Sequence, residues 1–198
     1  SANAETLVDG AIDNKKDAKI FSKAILHNAE RISGLVSDLI DLSRIDYGEI
    51  HLDLSELNVC DVVNVVINSH YSSAKRKGIN INFIEKKLPN VIADEAAVER
   101  IMTNLLDNAI KYTKANDEGE VEIEVKKEKN FIKVLVKDLG IGIQSSDQEL
   151  VFKRFYRTPD ARASQKTGSG LGLAIVKNLT ISLGGQAVSY THLTLPTR

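Results

Sequence analysis

The stretch that most constrains the 198-residue chain is Ile132-Lys133-Val134-Leu135-Val136-Lys137-Asp138-Leu139-Gly140-Ile141-Gly142. Ile132, Val134 and Val136 recur with a period of two, so they share one face of a strand, and the same period puts Asp138 on that face. A carboxylate aimed at an apolar layer is costly unless a donor from the protein or from a ligand meets it. Gly140 and Gly142 follow in alternate positions and let a backbone or a ligand come close.

The rest of the chain can be placed around that strand. Just upstream, Glu120-Val121-Glu122-Ile123-Glu124-Val125-Lys126 alternates cleanly and turns through Glu128-Lys129-Asn130, which predicts a hairpin with one wet face. Further upstream the pattern predicts a helix over 61–77 ending at Gly78, then strands over 79–83 and 91–93. Asp94 is a good N-cap for a helix over 95–113. That helix carries Val98, Ile101, Met102, Leu105 and Ala109 on its core side, while Asn104, Asn108 and Lys111, spaced by four and three, form a second row. Two amides and an ammonium in a row also describe a solvated face, so spacing alone leaves their role open.

Downstream, residues 144–167 lose apolar period and contain Pro159 and Arg162. Loops of this length are commonly lids or disordered, and Phe152 and Phe155 are the bulky anchors within reach. Gly168-Ser169-Gly170-Leu171-Gly172-Leu173 then opens a helix running through Leu179. Glycines ahead of a helix start expose backbone amides at its positive end, which suits phosphate.

At the other end, a polar break over 13–17 precedes a long helix to about Tyr47. Phe21, Ile25, Ile32, Leu35, Leu39 and Leu42 form a heptad seam with Asn28 as its polar member, and Ile20, Val36 and Ile40 widen it into a bundle face. Tyr47-Gly48-Glu49 stops the helix, and a domain boundary fits there. Composition adds exclusions: 42% hydrophobic and 27% charged residues with a net charge of -1 show no bias toward nucleic acid or an anionic membrane. The lone Cys60 rules out an internal disulfide and a thiol metal cluster. No signal peptide or membrane-length apolar run occurs, although a fragment can lose such a segment.

Taken singly these glycine motifs are weak, but their order is specific. The row from Asn104 to Tyr112, then Asp138-x-Gly140-x-Gly142, Phe152 to Phe155, and Gly168-x-Gly170-x-Gly172-Leu173 resembles the N, G1, F and G2 boxes of bacterial sensor histidine kinases. The region before Gly48 resembles the second helix of that family's dimerisation and phosphotransfer domain. The resemblance implies an α+β chain: an α/β sandwich of the GHKL ATPase type, a mixed sheet with helices on one face, preceded by a long helix of a helical-bundle dimerisation domain. It implies ATP and Mg2+ as ligands. Asp138 would accept from the adenine amine, and Gly140 and Gly142 would let base and sugar approach. Asn108 would ligate magnesium, and Asn104 would face the γ-phosphate or a magnesium water. Lys111 and Arg157 would neutralise phosphate charge, and Tyr112 would touch the nucleotide. Gly168, Gly170, Leu171, Gly172 and Leu173 would belong to the nucleotide-binding loop, in which the backbone amides of Gly170, Leu171 and Gly172 would hold the polyphosphate.

The implied partners are a response-regulator receiver domain and a second copy joined through the helical hairpin, with no nucleic acid and no membrane contact by this segment. The implied location is the cytoplasmic portion of a membrane-anchored bacterial protein. The expected division is 1–47 for a partial dimerisation hairpin, 48–187 for the ATP-binding domain and 188–198 for a non-native tail. Two departures accompany the resemblance. No acceptor histidine followed by an acidic residue and a Thr-Pro or Asn-Pro is present, and His27 falls on what resembles the wrong helix. His51 and His70 read as ordinary surface histidines. After Ala187 the family's further strands and Gly-x-Gly-Thr stretch give way to a tail resembling a translated sequencing adapter. The competing readings are a nucleotide-switched binding module without catalysis and another enzyme of the superfamily, such as a serine-directed anti-sigma kinase or a gyrase-type ATPase. The heptad helix argues against the last two.

Overall fold

A computed structural model describes residues 2–8, 14–47, 51–114, 119–164 and 168–189. The chain divides into two compact units, Ser1–Ser43 and Arg44–Arg198, where the sequence suggests a boundary at 47/48.

The first unit is helical: α1 (Ala2–Val8), then α2 (Lys15–Asp46). Asn14 starts α2 by accepting the Lys16 and Asp17 amides on Oδ1 (3.0 and 3.4 Å), which fixes the expected polar break as a cap. Phe21, Ile25 and Leu35 of the heptad seam are half-buried, whereas Ile32 and Leu39 are 61% and 47% exposed. Within one chain the seam is thus only partly covered. No helix among the described residues is long and apolar enough to cross a membrane.

The second unit is built on a mixed sheet. Strands β2 (Ile79–Ile84), β4 (Gly119–Glu128) and β5 (Phe131–Asp138) lie in the order β2-β4-β5, with β2 parallel and β5 antiparallel to β4. Val121, Ile123 and Val125 of β4 are fully buried against Val63 and Val66 of α3 (Val59–Arg76) and Met102, Leu106 and Ala109 of α4 (Glu95–Tyr112). The alternate residues turn away: Glu122 pairs with Lys137 and Glu124 with Lys86 at 3.2 Å, so the second face is the expected wet one. Helices on one face and a charged second face follow directly from the period-two pattern of β4.

Caps set the connections. Asn58 accepts from the Cys60 amide (3.0 Å) to start α3, and Gly78, at φ 67°, turns the chain from α3 straight into β2. Asp94 caps α4 through Oδ1 to the Ala97 amide, while Oδ2 takes the Asp53 amide, both at 2.7 Å. That second bond steadies a pairing the sequence pattern misses: β1 (Ser55–Leu57) runs antiparallel to β3 (Val91–Ala93) as a separate two-stranded sheet. Three residues are too few to show a period. Leu57 and Ala93 pack there with Val62.

The described part of the expected loop, residues 144–164, is more ordered than expected. It contains a 3-10 turn at Leu150–Phe152 and a short helix α5 (Pro159–Ser164), capped by the Thr158 hydroxyl accepting from the Ala161 amide (3.1 Å). Its anchors are also different. Val151 and Ala161 are buried and Phe152 is half-buried, but Phe155 is 61% exposed, which corrects its expected role as a pin. Phe155 has φ 61°, in the left-handed region that a bulky residue rarely adopts. Residues 190–198, and with them most of the expected non-native tail, lie outside the described residues.

Candidate functional site

Helix α4 brings its polar row alongside α6 (Gly172–Ser182), against which it packs. Asn104 is steered by its own helix: Nδ2 donates to the Arg100 carbonyl (2.8 Å), which leaves Oδ1 facing out of the turn. There it meets Gly172, where a β-carbon would stand 2.6 Å from Oδ1. A side chain at 172 would have to push the amide aside for α6 to begin this close. Asn108, one turn on, is half-buried, and its carboxamide makes no hydrogen bond among the described residues.

Lys111 leans the other way along the row. Its ammonium lies 4.7 Å from the Tyr112 ring centroid and so close to Gly168 that a β-carbon there would collide with Nζ. The same β-carbon position is 3.8 Å from Nε of Arg157. Two cations from separate motifs therefore converge on one glycine. Arg157 is held by Nη2 donating to the Ala161 carbonyl (2.6 Å). Like charges gathered this way favour a polyanion between them.

Backbone contacts lock the glycine loop to the Phe155 turn. The Phe155 amide donates to the Gly170 carbonyl (2.9 Å), and a β-carbon on Gly170 would lie 2.7 Å from the Tyr156 carbonyl oxygen. Gly170 has φ 73°, so the tight turn and the close approach both require glycine. Leu171 is fully buried and anchors the loop, while Leu173 is half-buried. No side chain caps α6, so its first amides remain at a positive helix end. The Leu171 amide is an exception among the three expected phosphate donors, since it already donates to the Ser169 hydroxyl (3.2 Å).

Asp138 sits opposite Val121 in the β4–β5 register and so shares the face of Ile123 and Val136 that packs on the helices. The period-two expectation holds, but the acid lies at the strand end, with more than a third of the residue exposed. Protein on the other sides still raises its pKa by desolvation, opposed by the Gly140 amide donating to Oδ1 (2.9 Å). Gly140 is squeezed between that carboxylate and the Tyr112 carbonyl, and Gly142 takes φ 71° to turn the chain away.

Three features carry no sequence signal. Thr113 forms an isolated β-bridge with Gly140, joining the end of α4 to the Asp138 turn. The Tyr156 hydroxyl donates to Asp147 (2.8 Å) and ties the Phe155 turn to the segment after Gly142. His70 proves not to be an ordinary surface histidine: its side chain is only 14% exposed, with Nδ1 2.8 Å from the Val66 carbonyl and Nε2 3.1 Å from Asp107. The hydrogen bond to Asp107 raises its pKa most, against some desolvation.

Comparison with known proteins agrees with this architecture. Residues 93–196 match the family described as histidine kinase-, DNA gyrase B-, and HSP90-like ATPase. The chain is 32% identical to the sensor histidine kinase WalK of Bacillus subtilis (strain 168) over 185 residues, covering 91% of this chain and 30% of that relative. It thus spans about a third of that protein's length. Among solved structures, full-length ShkA in complex with AMPPNP superposes with a TM-score of 0.71 at 25% identity over 86% of this chain and 35% of that one. The histidine kinase ThkA in complex with the response regulator protein TrrA gives a TM-score of 0.61 at 19% identity, over 86% of this chain and 45% of that one, a likeness of fold. A nucleotide-binding ATPase region is what these matches have in common with the site. The chain belongs to the histidine kinase-, DNA gyrase B- and HSP90-like ATPase family, and within it carries the ATP-binding kinase region of a sensor histidine kinase.

Proposed function

We propose that the site binds ATP with magnesium and transfers the γ-phosphoryl group to a histidine on a dimerisation hairpin, from which it passes to an aspartate of a response-regulator receiver domain. The observation that carries this reading is the convergence of Lys111 and Arg157 on Gly168 beside the uncapped start of α6, with Asn104 against Gly172. These groups come from three separate stretches of chain, and together they present two cations, an amide and helix amides to one polyphosphate. Asp138 accepts from the adenine amine, Tyr112 packs against the nucleotide, and Gly140 and Gly142 leave room for base and sugar.

The half-buried Asn108 carboxamide, without a protein partner among the described residues, fits an oxygen ligand for magnesium. Magnesium, held there, would supply positive charge that offsets the charge of the phosphates. Asn104 orients the γ-phosphate, while Lys111 and Arg157 compensate its charge. The phosphoryl group then leaves the β–γ bridging oxygen for an imidazole nitrogen, and ADP is released. Residues 1–47 act as part of the dimerisation hairpin, which a second copy completes by covering the exposed seam of α2. Residues 48–187 act as the catalytic domain, in the cytoplasmic part of a membrane-anchored protein.

The test uses a separate helical hairpin carrying an acceptor histidine, mixed with this chain and γ-labelled ATP. Acid-labile labelling of the hairpin that is lost with Asn108→Ala is the expected result. Magnesium-dependent ATP binding with no labelled histidine in any arrangement would leave a nucleotide-switched module instead of a kinase.

A further inference from the structure

The Phe155 turn carries backbone strain beside the glycine loop. At φ 61° Phe155 is in a conformation that persists in a bulky residue only where the surrounding structure over-determines it. Hydrogen bonds supply that restraint. The Phe155 amide donates to the Gly170 carbonyl (2.9 Å) and the Tyr156 amide to the Lys153 carbonyl (3.2 Å), while the Tyr156 hydroxyl donates to Oδ1 of Asp147 (2.8 Å).

The bond to Asp147 reaches beyond the turn and the glycine loop, to the segment that follows Gly142. Asp147 is itself held in place: its amide donates to the Gln144 carbonyl (2.8 Å) and its carbonyl accepts from the Val151 amide (2.9 Å). A carboxylate fixed in this way is a firm anchor, and hydrogen bonds to carboxylates are among the stronger kinds. On the other side of Tyr156, its carbonyl oxygen lies 2.7 Å from where a β-carbon on Gly170 would stand. The next residue is Arg157, whose Nε is 3.8 Å from the corresponding position on Gly168. One tyrosine thus links Asp147 to both the glycine turn and the cation beside it.

We propose that Tyr156 is a positioning residue for the phosphate half of the site: its bond to Asp147 holds the strained turn in the conformation that keeps Arg157 at Gly168. The proposal rests on the nucleotide reading above, in which Arg157 compensates phosphate charge. Without the hydroxyl, the turn loses its outside restraint, Phe155 relaxes toward ordinary backbone angles, and Arg157, two residues on, is carried away from the loop. Small displacements of a positioned charge weaken its action on the group it faces. The Asp138 end of the site, on a different strand, keeps its geometry.

The experiment titrates the full chain with magnesium–ATP and, separately, with adenosine, which lacks phosphate. Tyr156→Phe keeps the ring and removes only the hydroxyl. It should bind magnesium–ATP about five- to tenfold more weakly than wild type and adenosine equally well. In an Arg157→Gln background the same substitution should cost nothing further, because both changes act on one contact. Asp147→Ala should reproduce the loss, and Asp147→Asn, whose amide oxygen accepts the same bond, should recover most of it. Wild-type affinity for magnesium–ATP in Tyr156→Phe, an equal loss for adenosine, or a loss that adds in full to that of Arg157→Gln overturns the assignment. If the phenylalanine variant does not fold, the two Asp147 variants decide: ATP affinity in Asp147→Ala equal to wild type, or no recovery in Asp147→Asn, refutes it. A wild-type chain that binds neither magnesium–ATP nor adenosine refutes instead the nucleotide reading on which this one stands.

Discussion

Gly172, the first residue of α6, and Asn104 of α4 occupy a single contact in which a β-carbon would stand 2.6 Å from the amide Oδ1. The group in the way is the far end of a flexible side chain, so an added methyl displaces the amide more readily than it disturbs the helices. Gly172→Ala should change stability by less than about 1 kcal/mol. Misplacing a positioning group by this amount should lower magnesium-dependent ATP turnover at least about tenfold. Thermal denaturation and a hydrolysis assay on the same preparation separate the two effects, and unchanged turnover would show that Asn104 has no part in handling phosphate.

Gly170 makes a contrasting case, because everything near it is backbone. The Tyr156 carbonyl oxygen and the Phe155 carbonyl carbon lie 2.7 and 2.8 Å from the position an added methyl would take, and φ is 73°. Neither neighbour can swing aside. Gly170→Ala should therefore destabilise the domain by about 1–3 kcal/mol, the usual cost of a strained backbone, and release the Phe155 turn. A wild-type denaturant midpoint for this variant would contradict the rigid coupling of the two loops.

Asp138 pairs poor burial with a needed charge. Its pKa is raised by desolvation, partly opposed by the Gly140 amide. A carboxyl whose folded pKa lies above its unfolded value costs stability at pH above the folded pKa, and the cost vanishes as pH falls below the unfolded one. Asp138→Asn should therefore fold at least as stably as wild type at neutral pH, with a gain well under about 1 kcal/mol given the solvent contact. It should also lose ATP affinity by at least about tenfold, as should Asp138→Ala. In the wild type, ATP affinity should decline as pH falls through the raised Asp138 pKa. ATP affinity close to wild type in Asp138→Ala would remove adenine from the assignment.

His70 ties α3 to α4 at the residue preceding Asn108. With Nδ1 donating to the Val66 carbonyl, Nε2 has a proton to give Asp107 only when the ring is cationic. The raised pKa means that the added stability is fully present below the unfolded value, near 6.5, and is lost as pH rises through the folded value. Since Asp107 is 68% exposed, the contribution should stay below about 1 kcal/mol. The stability difference between wild type and His70→Gln, followed by denaturant unfolding from about pH 5.5 to about 8.5, should shrink with rising pH. A flat difference would mean that the pair adds no charge-dependent stability.

Much of this is legible in the sequence because it is local. Asp94 as a cap, Gly78 as a helix stop and the alternation of residues 120–126 act within a few residues of chain, and the structure places each where the pattern suggests. The Asn104, Asn108 and Lys111 row is legible as a row, but spacing does not say whether water or a ligand covers it. Phe155 departs from expectation because aromatic character suggests burial, whereas the left-handed turn held by Gly170 leaves it at the surface. His70 departs because its partner, Asp107, lies 37 residues away on another helix.

The division between chain and fold is clearest at Asp138. Periodicity alone determined that this carboxylate shares a face with Val134 and Val136, because side chains alternate in any strand regardless of what surrounds it. Motif order alone determined the family. Only tertiary structure decided that Lys111 and Arg157 meet at Gly168, that α6 begins against Asn104, and that Thr113 bridges to Gly140. Those contacts join segments far apart in the chain, and their geometry depends on how α4, α6 and the sheet pack together, which residue spacing does not encode.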